Sequence, residues 1–168
     1  MSNVYFAGDY HWGHRNILKY RNSFSTIEEH DSVLLDNTVT CLTKRDSLYL
    51  LGDVLFNTES LKFLKTVATH CAYVFWVLGN HDDPLAVNHA IKTIPNLKVF
   101  GLKSYKGYWL SHCPIHESEF FRKEKNIHGH LHAKVLPDER YFNASVDNIA
   151  FKPVSLDAIK DGYMGELW

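Results

Sequence analysis

The chain has little covalent reinforcement to offer. Its three cysteines, Cys41, Cys71 and Cys113, are odd in number and contain no C-x-x-C pair, which argues against a disulfide framework. They are expected to be reduced thiols of a cytoplasmic protein, two of them in the core. Strand alternation would aim Cys113 away from its neighbour His112 and inward. An excess of charge of one sign is also missing. Eighteen Lys and Arg stand against nineteen Asp and Glu, for a net charge of -1. No global basic field exists to gather long nucleic acid, so long duplexes are not expected as partners. No apolar run approaches the roughly 20 residues of a membrane span, so no membrane partner is expected. The opening "MSNVYFAGD" has neither the basic segment nor the apolar stretch of a signal peptide. Repeats, low-complexity tracts and Pro/Gly/Ser linkers are absent too. A single domain over residues 1–168, with a sizeable core, is the expectation.

What is present is a series of short apolar runs rich in β-branched and aromatic residues. "VYFAGD" at Val4, "SLYLLGDV" at Ser47, "AYVFWVLGNHD" at Ala72, "YWLSHCP" at Tyr108, "IHGHLH" at Ile127 and "RYFNASV" at Arg140 read as strands. "KVFGLKSYKGYWL" reads as a hairpin with "YKGY" at its turn. Helical spacing appears between them. "STIEEHDSVLLDNTVTCL" opens with capping-box spacings at Ser25/Glu28 and Thr26/Glu29. "TESLKFLKTVATH" aligns Leu61, Leu64 and Ala68 on one face. "DDPLAVNHAIKTI" starts on an acidic residue before Pro84, and "SLDAIK" is a short helix near Ser155. Strands alternating with helices predict an α/β domain.

Histidine is abundant, with 11 residues, and its placement is uneven. Asp9 and His11, Asp53, Asn80 with His81, His112, and His130 with His132 each fall at or just beyond a strand run. Strand ends, where loops begin, are where ligand sites form in open α/β sheets. Carboxylate, imidazole and amide oxygen together suit borderline divalent ions such as Mn, Fe, Ni or Zn, whereas calcium prefers oxygen alone. No cysteine belongs to the set, which argues against a structural zinc site. Alternation in "GHLH" would put His130 and His132 on one side of an extended segment. Glycines before Asp53, Asn80 and His130 would let the backbone turn closely.

In order, the blocks are "DYH", "GDV", "GNHD", "SHCP" and "GHLH". This series resembles the calcineurin-like metallophosphoesterase superfamily, and within it the small bacterial and phage type, whose first block continues as "WGHRNI" does and whose ending is similar to "NASVDNIAFKPVSLDAI". Gly8 and Tyr10 depart from the family's usual residues, in positions that bear on the pocket wall. The resemblance implies a four-layer αββα sandwich of two mixed sheets flanked by helices, with metals on loops at one end. It implies that Asp9, His11, Asp53 and His132 hold a first divalent ion. Asp53 would bridge to a second, completed by Asn80, His112 and His130, with Mn the first choice of metal. A hydroxide bridging two such ions would attack phosphorus in line. His81 would serve as general acid or cationic stabiliser, with Asp82 orienting it by a hydrogen bond.

The expected activity is hydrolysis of a small, nucleotide-type phosphodiester. The alternatives are a nucleotide or protein phosphomonoesterase, a nuclease, and a scaffold without catalysis. Near-neutral charge counts against the nuclease, and the complete ligand set against the scaffold. His14, Arg15 and Asn16 are candidate substrate contacts. Trp12, Phe56 and Trp109 fit core packing better than a pocket wall, and His30 and His128 read as ordinary surface or partly buried histidines. The stretch "HESEFFRKEK" after Pro114 offers Phe120, Phe121, Arg122, Lys123 and Lys125 as a rim that could stack a base and attract phosphate. The sequence carries no signal for oligomeric state.

Overall fold

Near-continuous apolar runs become the buried strands of a first sheet. In the computed structural model, which describes residues 2–163, β1 (Val4–Ala7), β2 (Ser47–Leu51), β3 (Tyr73–Val77) and β4 (Leu97–Phe100) run parallel. A short β9 (Val154–Ser155) adds antiparallel to β1, giving the order β4-β3-β2-β1-β9. The second sheet has the order β5-β6-β7-β8, from Lys103–Tyr105, Tyr108–Leu110, Lys125–His128 and Tyr141–Asn143. β5 and β6 are antiparallel, and β6, β7 and β8 are parallel. Both sheets are thus mixed, as expected.

The "YKGY" turn joins β5 to β6, with Lys106 at φ 45° and Gly107 at φ 87°. Two positive φ values are what a two-residue hairpin turn requires. "KVF" lies outside this hairpin, because Leu97–Phe100 pairs with β3 in the first sheet. The chain changes sheets between Phe100 and Lys103.

The helices start where their caps place them. In α1 (Ile27–Cys41) the Thr26 hydroxyl accepts the Glu29 N–H at 3.1 Å, while Glu29 reaches back to the Ser25 N–H at 2.8 Å. α2 is Leu61–Ala68. α3 (Pro84–Thr93) begins with Pro84 behind Asp83, whose carboxylate accepts the Ala86 N–H at 2.7 Å. α4 (Leu156–Lys160) is capped by Ser155. These helices flank the sheets. Cover on the second sheet includes a 3-10 turn, Glu117–Phe120, whose Phe120 ring stands edge-on to Tyr141 at 5.2 Å.

One apolar core joins the sheets. Phe6, Leu48, Leu50, Val74 and Trp76 of the first sheet cluster with Tyr108, Leu110 and Ile127 of the second. Burying each such aliphatic side chain contributes roughly 1.5–3 kcal/mol. The sheets also touch through their backbones at one end, where the Gly8 N–H donates to the Ala144 carbonyl at 2.8 Å.

Candidate metal centre

All seven expected ligands follow the C-terminal ends of parallel strands. Asp9 and His11 come after β1, Asp53 after β2, Asn80 after β3, His112 after β6, and His130 and His132 after β7. Side chains from five strands therefore converge at one end of the two sheets. The backbone there is forced. Asp9, His11, Asp53, His130 and His132 have φ of 58°, 51°, 52°, 71° and 49°, a left-handed conformation that costs a residue with a Cβ about 1–2 kcal/mol. Gly52 and Gly79 permit the crowding. A Cβ at Gly52 would overlap the His112 ring, and one at Gly79 would overlap Asp53.

The left-handed values correct one expectation. Strand β7 stops at His128, so alternation does not set the directions of His130 and His132. Two turns do. The His130 N–H donates to the Asp9 carboxylate at 2.9 Å. The His132 carbonyl accepts from the Asn143 and Asn148 side-chain amides.

Donor atoms of Asp9, His11 and His132 lie within 4.8 Å of one another, and so do those of Asp9, Asp53 and His112. One oxygen of Asp53, Oδ2, is 3.7 Å from His11 Nε2 and 3.4 Å from His112 Nε2. The second half of the site gathers on His112 Nε2, which is 2.9 Å from Asn80 Oδ1 and 3.1 Å from His130 Nδ1. His112 Nδ1 donates to the Leu51 carbonyl at 2.9 Å, which fixes the ring and leaves Nε2 facing the cluster.

The fit to a divalent cation rests on His11. It is only 3% exposed, yet neither ring nitrogen has a hydrogen-bond partner among the described residues. Buried polar atoms are almost always paired, and an imidazole among carboxylates is a good divalent-ion ligand. Burial, with the positive Arg21 behind it, pushes the His11 pKa down to about 3, so the ring is neutral and available. Burial pushes Asp53 up, but the hydrogen bond and charge of His112 outweigh it and bring Asp53 down to about 2. Burial raises Asp9, opposed by His112 and His132.

His81 is exposed. Its backbone N–H donates to Asp53 Oδ1 at 2.8 Å, and its ring lies 5.9 Å from that of His11. Asp82 does not orient it. The Asp82 carboxylate is consumed by five N–H donors: the backbones of Asp53, Val54, Leu55 and Gly79, and the Trp76 indole. Asp82 is the post that fastens the Asp53 turn to the Gly79 turn.

Several neighbours stand elsewhere than expected. Tyr10 is fully buried with its hydroxyl 2.8 Å from that of Thr38, so it packs under α1 and not on a pocket wall. Trp12 is fully buried, in line with core packing, whereas Phe56 is 36% exposed. His14 stacks on Phe56 at 3.7 Å and lies 5.5 Å from His11. Arg15 and Asn16 open a 3-10 turn with exposed side chains, and Arg15 lines a groove with Glu28 and Ile27. Neither makes a hydrogen bond or ion pair with a metal-ligand candidate among the described residues. Cys113 is exposed, not core, and has its sulfur within 4.8 Å of donor atoms of His112 and His130. Cys71 is buried and Cys41 half-buried. His30 and His128 are fully buried. Of the expected rim, Phe120 is buried, Lys123 bonds Ser104, and Lys125 bonds the Glu139 carbonyl. Phe121 and Arg122 are exposed, with the Arg122 guanidinium 5.1 Å over the Phe121 ring.

Three residues that sequence reasoning passed over support the site. Ser145 donates to Asp9 Oδ2 at 2.6 Å. Asp147 accepts from His132 Nδ1 at 3.0 Å and forms a two-pronged pair with Arg21 at 2.8 and 2.7 Å. The polar residues Ser145, Asp147 and Asn148 within "ASVDNIAF", a segment that carries part of the resemblance, were the available signal. Arg21 had none, because its ion-pair partner is 126 residues away and its nearer contacts form only in the fold.

Comparison with known proteins gives the same direction. The model of the calcineurin-like phosphoesterase family matches residues 2–165. The chain is 31% identical to the uncharacterized protein MJ1445 of Methanocaldococcus jannaschii, over 95% of this chain and 90% of that one. It is 31% identical to the Gene 66 protein of Mycobacterium phage L5 over 52% of this chain, which spans 44% of the phage protein. Among solved structures, the protein of unknown function AQ665 from Aquifex aeolicus superposes with a TM-score of 0.72 at 25% identity, covering 96% of this chain and 99% of that one. Among the described residues no helix is long and apolar enough to cross a membrane. With a matching family model over nearly its whole length and His/Asp groups able to hold a metal, the chain belongs to the calcineurin-like phosphoesterase family of metal-dependent phosphoester hydrolases.

Proposed function

We propose that this protein is a dinuclear-metal phosphodiesterase for small, nucleotide-type esters. The observation that carries the reading is the unpartnered, buried His11 imidazole beside Asp53, whose second neighbour is the His112–Asn80–His130 group. Asp9, His11, Asp53 and His132 would hold one ion, and Asp53, Asn80, His112 and His130 the other. Manganese is the first choice, with iron, nickel or zinc compatible with the same donors. Two divalent ions held there would neutralise the phosphoryl oxygens and activate a water near neutral pH.

His81 would work on the open side. Its backbone is fixed by Asp53 while its ring is exposed, so it can give a proton to a leaving oxygen or hold a phosphoryl oxygen. Asn80, His81 and His130 are all exposed, which leaves room for the leaving alcohol of a diester to point outward. Phe56, backed by His14 and 6.2 Å from the His81 ring, offers a flat wall suited to a nucleobase.

The test is a side-by-side measurement on the manganese-loaded protein, using bis-p-nitrophenyl phosphate and p-nitrophenyl phosphate, followed by cyclic nucleotides, dinucleotides and short oligonucleotides. A higher kcat/KM on the diester is expected. A clear preference for the monoester would replace this reading with a phosphomonoesterase.

A further inference from the structure

The two halves of the metal centre are braced unequally. Behind the first half stands Arg21, 3% exposed and close to the surfaces of three segments. Its guanidinium donates to the Asp9 carbonyl at 2.6 Å and the Tyr10 carbonyl at 3.3 Å, meets His30 Nε2 at 2.9 Å, and grips both oxygens of Asp147. Asp147 in turn accepts a hydrogen bond from His132 Nδ1–H, so that Nε2 is the nitrogen left for an ion. His30 is held from its other side by Asp31 at 2.8 Å, and Asp31 also accepts the Gly13 N–H at 3.0 Å. One planar cation thus ties the Asp9–His11 turn, the His132 turn and α1 together. The second half is braced at one ligand, His112, whose Nδ1 is held by the Leu51 carbonyl. Asn80 and His130 are exposed, and among the described residues the side chain of each hydrogen-bonds only to His112.

We propose that Arg21 and Asp147 are positioning residues that make the first metal position the tight one, so that the two ions load in order and the second exchanges freely. The proposal rests on the two-metal reading above. Its physical basis is preorganisation. A ligand ring already held in one tautomer and one orientation loses little freedom when an ion arrives, whereas exposed side chains must be ordered first.

The test is a Mn2+ titration of the metal-free, full-length protein, with free ion counted from its electron paramagnetic resonance signal. Wild type is expected to show two classes of site, with Kd values at least about 10-fold apart. Asp147→Asn is expected to weaken the tight class by about 10–100-fold and to leave the weak class unchanged. A purely structural role would degrade both classes together. Should Asp147→Asn fail to fold by circular dichroism, Arg21→Lys, which keeps the charge and a donor for the carbonyls, carries the same selective expectation. A single class in wild type, or equal weakening of both classes in the variant, overturns the proposal alone. Absence of any bound ion in wild type overturns the two-metal reading and this proposal with it.

Discussion

The carboxylate of Asp82 accepts the backbone N–H of Val54 at 2.6 Å, and through it the turn after β2 is locked to the turn after β3. Four further N–H groups share that carboxylate. Asp82→Asn turns one acceptor oxygen into a donor facing other donors. We expect a loss of about 2 kcal/mol in urea denaturation of the metal-free protein, with turnover falling as the Asp53 turn loosens. Unchanged stability with lost turnover would instead return Asp82 to a role through His81.

Removal of metal should abolish activity, and manganese should restore it. Asp53→Asn is expected to be the most damaging single change among the ligands, because one carboxylate oxygen lies between the two halves of the site. Affinity for both ions should fall by more than about 100-fold. Metal analysis on the purified variant checks this, and full turnover by exhaustively chelated wild type would sink it.

His81→Ala should separate binding from chemistry. The variant is expected to keep both ions and to lose about 10²–10⁴-fold in kcat. Recovery of full rate at raised metal concentration would make His81 a ligand.

Acid sensitivity has an address beside the ligands but outside their set. His128 is fully buried, its Nε2 has no hydrogen-bond partner among the described residues, and burial holds its pKa down at about 4. The unfolded chain titrates this group near 6.5. Between those values the unfolded state takes the proton and the folded state does not, so stability falls as pH drops from about 6.5 toward 4. His128→Phe should flatten that slope by up to about 3 kcal/mol, measured by denaturation of metal-free protein at pH 4.5 and 7. An identical pH dependence in both proteins would refute the assignment.

Thiol labelling should pick out Cys113. It is the exposed cysteine, and it lies next to the His112 and His130 donors. A maleimide reagent should modify it first, with Cys71 protected until unfolding, and bound manganese should slow the reaction. Equal labelling with and without metal would count against an ion at His112 and His130.

The strands, the caps and the metal-ligand candidates were legible because each is a local pattern. An apolar run, a Thr-x-x-Glu spacing and a histidine past a strand end can be read within a few residues. The failures share a cause as well. Alternation was extended past Leu110 and His128, where the strands had already ended, and that misdirected Cys113, His130 and His132. Tyr10 was placed on the pocket wall as a departure from the family pattern, although Thr38 decides where its hydroxyl goes. Arg21 and Asp147 meet across 126 residues, and their other partners, the Asp9 and Tyr10 carbonyls, His30 and His132, are brought to them only by the fold.

The left-handed backbone at Asp9, His11, Asp53, His130 and His132 also bears on how this protein would respond to engineering. Asparagine or glycine tolerates such a conformation better than histidine does. At His11 a replacement would also remove a desolvated ring whose nitrogens have no hydrogen-bond partner among the described residues. A programme that ranks substitutions by thermal stability alone would be drawn toward these positions and would erase the chemistry there as it hardened the fold.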